Sequence, residues 1–79
     1  MKIREVLATN LKRLRKERQW TQEDLAGEAS VDRGYISKLE NSKKEAGLDI
    51  LPKLADALGV RPADLLTPIK NARESAKKK

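Results

Sequence analysis

The chain has 79 residues, a net charge of +6, two aromatic side chains and neither cysteine nor histidine. That length allows one small domain near the lower size at which a core sustains itself. The missing residue types exclude a disulfide framework, a thiolate nucleophile and a Cys/His zinc site, so no metal or cofactor is expected.

No apolar run reaches membrane-spanning length and the N-terminus lacks the apolar core of a signal peptide, which predicts a cytoplasmic protein with no membrane partner. Trp20 and Tyr35 are too few for a base-stacking platform, which argues against single-stranded nucleic acid as the main ligand. Charge is uneven: +5 over residues 1–20, −3 over 21–40, zero over 41–58 and +4 over 59–79. Basic ends around an acidic middle can reach phosphates on either side of a docked element, although a basic balance alone is common among soluble proteins.

Residues 2–18 read as the first helix. Ile3, Leu7, Leu11 and Leu14 recur at steps of four, four and three, with Val6 beside them. Lys2, Arg4, Lys12, Arg13, Lys16 and Arg18 fill other positions, a solvated face or one that touches phosphate. Arg15 lies next to the apolar stripe. Thr21 and Asp24 predict a capping box at the head of a helix over Gln22–Ala29, with Trp20 and Leu25 as its hydrophobic staple. Asp32, Val31 and Ile36 repeat that grammar at the head of the next helix, and Ala29-Ser30-Val31 makes the corner. Two helices this short cannot bury enough surface alone, so the flanking helices must supply the core.

Residues 33–41 divide into two arcs. At 100° per residue from Arg33, Tyr35, Leu39 and Ile36 fall at about 200°, 240° and 300°, while Arg33, Ser37, Asn41, Gly34 and Lys38 fall between about 0° and 140°. The first arc can pack on a core. The second suits hydrogen bonding to base edges and phosphates, and its plain alternative is a solvated helix face. Residues 41–48 then form a polar loop. A fourth helix is expected from near Asp49, since Pro52 is tolerated only in a first turn, with Leu51, Leu54, Ala55 and Leu58 buried and Gly59 as terminator. Pro62 opens a last short helix whose Leu65 and Leu66 face the core or a second subunit, and Thr67-Pro68 stops it. The remainder, to Lys79, is expected to be a basic, flexible tail.

Residues 8–66 resemble the Cro/repressor (XRE-like) helix-turn-helix family, through LKRLRKERQWTQEDLA (11–26), VDRGYISKLEN (31–41), LPKLADALGV (51–60) and PADLL (62–66). The DRGYIS segment is most similar to restriction–modification controller proteins. The resemblance implies an all-α, five-helix, lambda-repressor-like domain over residues 1–66, with the helix-turn-helix at 22–41 and a tail over 67–79. It implies a DNA-binding transcription regulator, a repressor or an activator, whose second motif helix enters the major groove. It further implies a structural ion pair between Arg15 and Glu40, a phosphate contact and buttressing role for Gln22, and phosphate contacts from Asn41, Ser42, Lys43 and Lys44. A mobile charged loop is the alternative for those last four.

Within that frame Arg33 is the strongest base reader, because a guanidinium can bond guanine O6 and N7 together. Lys38 can reach a base or a phosphate and Ser37 either. Gly34 either admits the helix closely to the bases or is tolerated drift near a helix start. The Tyr35 ring belongs to the core, with its hydroxyl as a phosphate candidate. Ser30 stands where the family often has glycine, so a strained or looser turn is expected.

The family resemblance, with the small footprint of one recognition helix, implies a homodimer on a palindromic double-stranded operator, acting by occluding or recruiting RNA polymerase. An antitoxin that also binds a toxin, or another protein-interaction module, is the alternative. No enzyme is expected, since no pair of catalytic groups stands out.

Overall fold

The computed structural model describes residues 2–68. These form five helices: α1 (Ile3–Glu17), α2 (Gln22–Ala29), α3 (Arg33–Glu40), α4 (Ile50–Leu58) and α5 (Pro62–Leu65). Among the described residues there is no strand, and no helix is long and apolar enough to cross a membrane. The all-α, five-helix expectation therefore holds. The predicted tail beyond Pro68 lies outside the described residues. Thr67, assigned to that tail from sequence, is tied to the domain: its hydroxyl donates to the Ala63 carbonyl at 2.8 Å.

One apolar cluster joins all five helices, with Leu11, Leu25, Ile36, Leu39, Leu54, Leu58 and Leu65 fully buried. Each comes from the stripe that its helix period places inward. The corners are built alike. Gln19, Ser30 and Gly59 take left-handed backbone, at φ 60°, 57° and 69°. The next residue, Trp20, Val31 or Val60, donates its N–H back five residues to Arg15, Ala26 or Ala55 at 3.1, 2.9 and 2.9 Å. That is the Schellman closure of a helix end. The same apolar residue then stands immediately before the N-cap of the next helix, five residues ahead of a fully buried Leu25, Ile36 or Leu65.

The capping box expected at Thr21 is present, with the Asp24 N–H on Thr21 Oγ1 at 3.0 Å and the Thr21 N–H on Asp24 Oδ2 at 2.9 Å. Ser30 adopts the strained φ without loosening its turn, which closes with both Schellman bonds. Helix α3 ends the same way, with Ser42 at φ 60° and the Lys43 N–H on the Lys38 carbonyl at 2.9 Å. Beyond Ser42 the pattern changes. Lys43 is exposed and polar, and the chain runs on as a loop to Asp49 before α4.

Asn10 is the polar member of the core. It is 0 % exposed, and its Nδ2 donates to the carbonyls of Leu65 and Thr67, each at 2.8 Å, with Asp64 at 3.4 Å. Those carbonyls at the end of α5 have no helical partner ahead of them, so α1 supplies one. On the other side of the molecule, Arg18 donates to the Leu58 carbonyl at the end of α4 and lies over the Trp20 ring, 5.4 Å from its centroid.

Candidate nucleic-acid interface

Helix α3 is too short to hold its own orientation, and a charged network fixes it from behind. Arg15 Nε donates to Glu40 Oε2 at 2.7 Å and Nη2 to Oε1 at 2.9 Å, a two-pronged pair. The third donor, Nη1, reaches the Trp20 carbonyl at 2.8 Å. Gln22 Nε2 donates to Glu40 Oε1 at 3.2 Å. Glu40 is 2 % exposed and Arg15 12 %. The hydrogen bonds with Glu40 raise the Arg15 pKa above its already high ordinary value; burial opposes them and the Glu40 charge adds to them. One carboxylate thus joins the ends of α1 and α3 to the head of α2. It is turned into the protein, away from the outer face of α3.

The outer face is polar and open. Arg33, Gly34, Lys38 and Asn41 are exposed and Ser37 is half-buried, while Ile36, Leu39 and Glu40 are buried behind them. Among the described residues none of Arg33, Lys38, Lys43 and Lys44 has an ion-pair partner. Ser37 Oγ accepts from Asn41 Nδ2 at 3.5 Å, a marginal bond that leaves both groups available. Asp32 caps the helix by accepting from the Gly34 N–H at 2.9 Å. A Cβ on residue 34 would stand 2.8 Å from that same carboxylate oxygen. That oxygen ends a flexible side chain that can give way, so the cap alone does not require glycine at 34.

Arg33 also lines a shallow recess with Arg15, Thr21, Gln22 and Glu23. The first N–H groups of α2 open there, since the leading amides of a helix have no carbonyl behind them. A guanidinium and a helix start, both positively polarised, thus meet on one surface beside α3, with the Glu23 carboxylate on the same recess. Gln22 is partly committed elsewhere. One of its amide hydrogens serves Glu40, leaving the second hydrogen and the backbone N–H for any further partner.

Tyr35 is shared between the core and the loop. Its ring packs against the core, but its hydroxyl accepts from the Gly47 N–H at 3.1 Å and donates to the Glu45 carbonyl at 3.4 Å. The bond to Gly47 holds the hydroxyl at the loop, while the long contact to Glu45 is marginal and leaves the phenolic hydrogen available. Lys44 lies over the same ring, its Nζ 5.1 Å from the centroid. Ser42 is half-buried at the left-handed position, and Lys43 and Lys44 are exposed just beyond the end of α3.

Sequence reasoning passed over Asn10 and the Tyr35–loop clamp. Asn10 had a signal, being a polar residue in the Leu7–Leu11–Leu14 stripe; the direction of a tyrosine hydroxyl had none. No group of acidic residues among those described could hold a metal ion.

The chain is 39 % identical over 66 residues to a hypothetical transcription factor of Neisseria meningitidis, which covers 84 % of this chain and 62 % of that protein. The crystal structure of a hypothetical transcription factor from Neisseria superposes with a TM-score of 0.88 at 36 % identity, over 92 % of this chain and 84 % of the other. The restriction–modification controller protein C.AhdI from Aeromonas hydrophila superposes at 0.75 with 31 % identity, over 78 % of this chain and 94 % of its own. A nucleoprotein complex of C.Esp1396I superposes at 0.72 with 28 % identity, over 82 % of this chain and 84 % of its own. The family described as Helix-turn-helix matches residues 11–65, which span α2, α3 and the network that braces them. The chain is a member of the XRE-type helix-turn-helix family.

Proposed function

We propose that the protein is a sequence-specific regulator of transcription that binds double-stranded DNA as a homodimer on a palindromic operator, with α3 in the major groove. The observation that carries this reading is the division of α3: an outer face of Arg33, Gly34, Ser37 and Lys38 without competing ion pairs among the described residues, held from behind by Arg15 and Glu40. Arg33 is the principal base reader, suited to guanine, and Lys38 and Ser37 contribute further along the helix. The start of α2 with Gln22, and the run Asn41, Ser42, Lys43 and Lys44 beyond α3, bracket that helix as phosphate contacts. Tyr35 acts indirectly, by holding the loop that carries the lysines. The relation to controller proteins and to a transcription factor favours the regulatory role over a purely protein-binding one. Contact with RNA polymerase belongs to the same reading, as the step after operator binding.

Selection of binding sites from random duplexes, with footprinting of the selected site, tests it. The wild type should recover a two-fold symmetric site. Arg33→Ala should lose discrimination at one position in each half-site, by about 1–3 kcal/mol. Equal enrichment of all duplexes by the wild type at physiological salt would overturn the reading.

A further inference from the structure

The N-cap of α3 presents its carboxylate on the outer face of that helix, although its place in the helical period points elsewhere. At 100° per residue Asp32 falls at about 260°, between Leu39 and Ile36 on the apolar arc. The residue is extended instead, at φ −63° and ψ 138°, and it is exposed. Its side chain folds over the first turn onto Gly34, which belongs to the polar arc. Oδ2 accepts the Gly34 N–H at 2.9 Å and lies 2.8 Å from where a Cβ on that residue would stand. Any side chain at 34 would push the carboxylate aside or cover it; glycine leaves it bare. Among the described residues Oδ1 has no hydrogen-bond partner, and neither Asp32 nor the adjoining Arg33 is in an ion pair.

We infer that Asp32 is a further base-reading residue, its Oδ1 accepting a hydrogen bond from the N4 amino group of a cytosine in the base pair next to the guanine read by Arg33. Charge selects that partner. Phosphates and the acceptor edges of guanine and thymine repel a carboxylate, so in the major groove only an amino group suits it, N4 of cytosine or N6 of adenine. Adenine carries its N7 acceptor beside that amine, against the second carboxylate oxygen, and cytosine carries no acceptor there. Spacing selects the position. Consecutive Cα atoms are about 3.8 Å apart, close to the rise of about 3.4 Å per base pair, so neighbouring side chains at the start of α3 meet neighbouring pairs. A carboxylate pressed against another acceptor costs more than a lost bond, so Asp32 excludes wrong duplexes as much as it favours the right one. Arg33 alone, a cation in an anionic groove, gains from any duplex; the adjoining anion makes that gain conditional on sequence. This rests on the DNA reading above and gives a reading role to a residue that otherwise only caps the helix.

Site selection with the wild type, Asp32→Ser and Asp32→Asn, followed by affinity measurement on the selected duplex at fixed salt, tests it. Thermal unfolding runs alongside, because serine and asparagine cap a helix about as well as aspartate, and a purely structural role leaves all three proteins alike. The wild type should select a cytosine beside the position whose preference Arg33→Ala abolishes. Exchanging that C·G pair for T·A should weaken the wild type by about tenfold and leave Asp32→Ser unaffected. Asp32→Asn, which carries a donor as well as an acceptor, should bind the exchanged duplex more tightly than the wild type does. A selected half-site with no cytosine beside that position overturns the inference. So does an Asp32→Ser variant that keeps the wild-type ranking of the two duplexes. Both results leave the DNA reading in place, whereas equal enrichment of all duplexes by the wild type removes the two together.

Discussion

Glu40 is the acidic side chain within α3 itself, and its burial explains why it does not spoil the candidate DNA-reading positions there. Two bonds from Arg15 and one from Gln22 occupy its oxygens, so its charge is answered inside the protein. Removing it strands a guanidinium that is only 12 % exposed. Glu40→Ala should lower unfolding free energy by about 3–5 kcal/mol in urea titration, while the double variant Arg15→Met with Glu40→Leu should recover most of that loss. Tyr35→Phe is expected to act locally. The Gly47 N–H loses its acceptor, at about 1 kcal/mol, so its hydrogen exchange should quicken severalfold and the thermal midpoint should fall by about 4–8 °C. These two residues mark the limits of sequence at this scale. The Arg15–Glu40 proximity is suggested by family resemblance. The inward turn of the Tyr35 hydroxyl depends on where Gly47 comes to rest twelve residues away, which no local pattern encodes.

At the scale of elements, Thr21, Asp24 and Trp20 bound α2 to the residue, because caps and staples are local chemistry. The sequence pattern draws α3 one residue long, since Asn41 is its C-cap. It draws the first helix one residue long at each end. Helix ends are less legible than starts. Left-handed positions are easy to read when glycine occupies them, as at Gly59, or when the family resemblance supplies a glycine there, as at Ser30, and hidden when Gln19 or Ser42 does. That suggests a direct measurement. Ser30→Gly should raise stability by about 0.5–1 kcal/mol, the relief of left-handed strain less the extra freedom of the unfolded chain, and a fall in stability would show that the serine makes a compensating contact. Helix α5 offers a test by pH. The backbone N–H of Arg61, then its guanidinium, hold the Asp64 pKa below the ordinary carboxylate value. Because the folded value is the lower one, this small stabilisation is complete above the ordinary range and fades as pH falls through the depressed value. Asp64→Asn should therefore lower stability slightly at neutral pH and converge on the wild type in acid, flattening that side of the stability curve.

The whole molecule combines a neutralised interior with an unneutralised edge. Of the acidic side chains over residues 21–40, Asp24 and Asp32 serve caps and Glu40 the buried pair, whereas Arg33, Lys38, Lys43 and Lys44 are without ion-pair partners among the described residues. Net charge alone hides this, since +6 says nothing of which charges are already answered. On the proposed DNA reading, Lys43→Ala should weaken every duplex alike and reduce the slope of log affinity against log salt by about one. Arg33→Ala should instead change the ranking of duplexes. A groove lined by Leu48 and Ile3 is likewise invisible from sequence: NSKKEAGL reads as polar loop, and its leucine becomes noteworthy only when α1 brings Ile3 alongside.

The doubled role of Trp20, Val31 and Val60 has a consequence for how such proteins can diverge. Each closes one rod and opens the next with no spare residue between, so an insertion at any of these joints would undo two termini together. The stretch after Ser42 carries no such double duty, and length changes are tolerable there alone. Relatives are therefore expected to vary in length in this stretch and to keep the other three joints invariant.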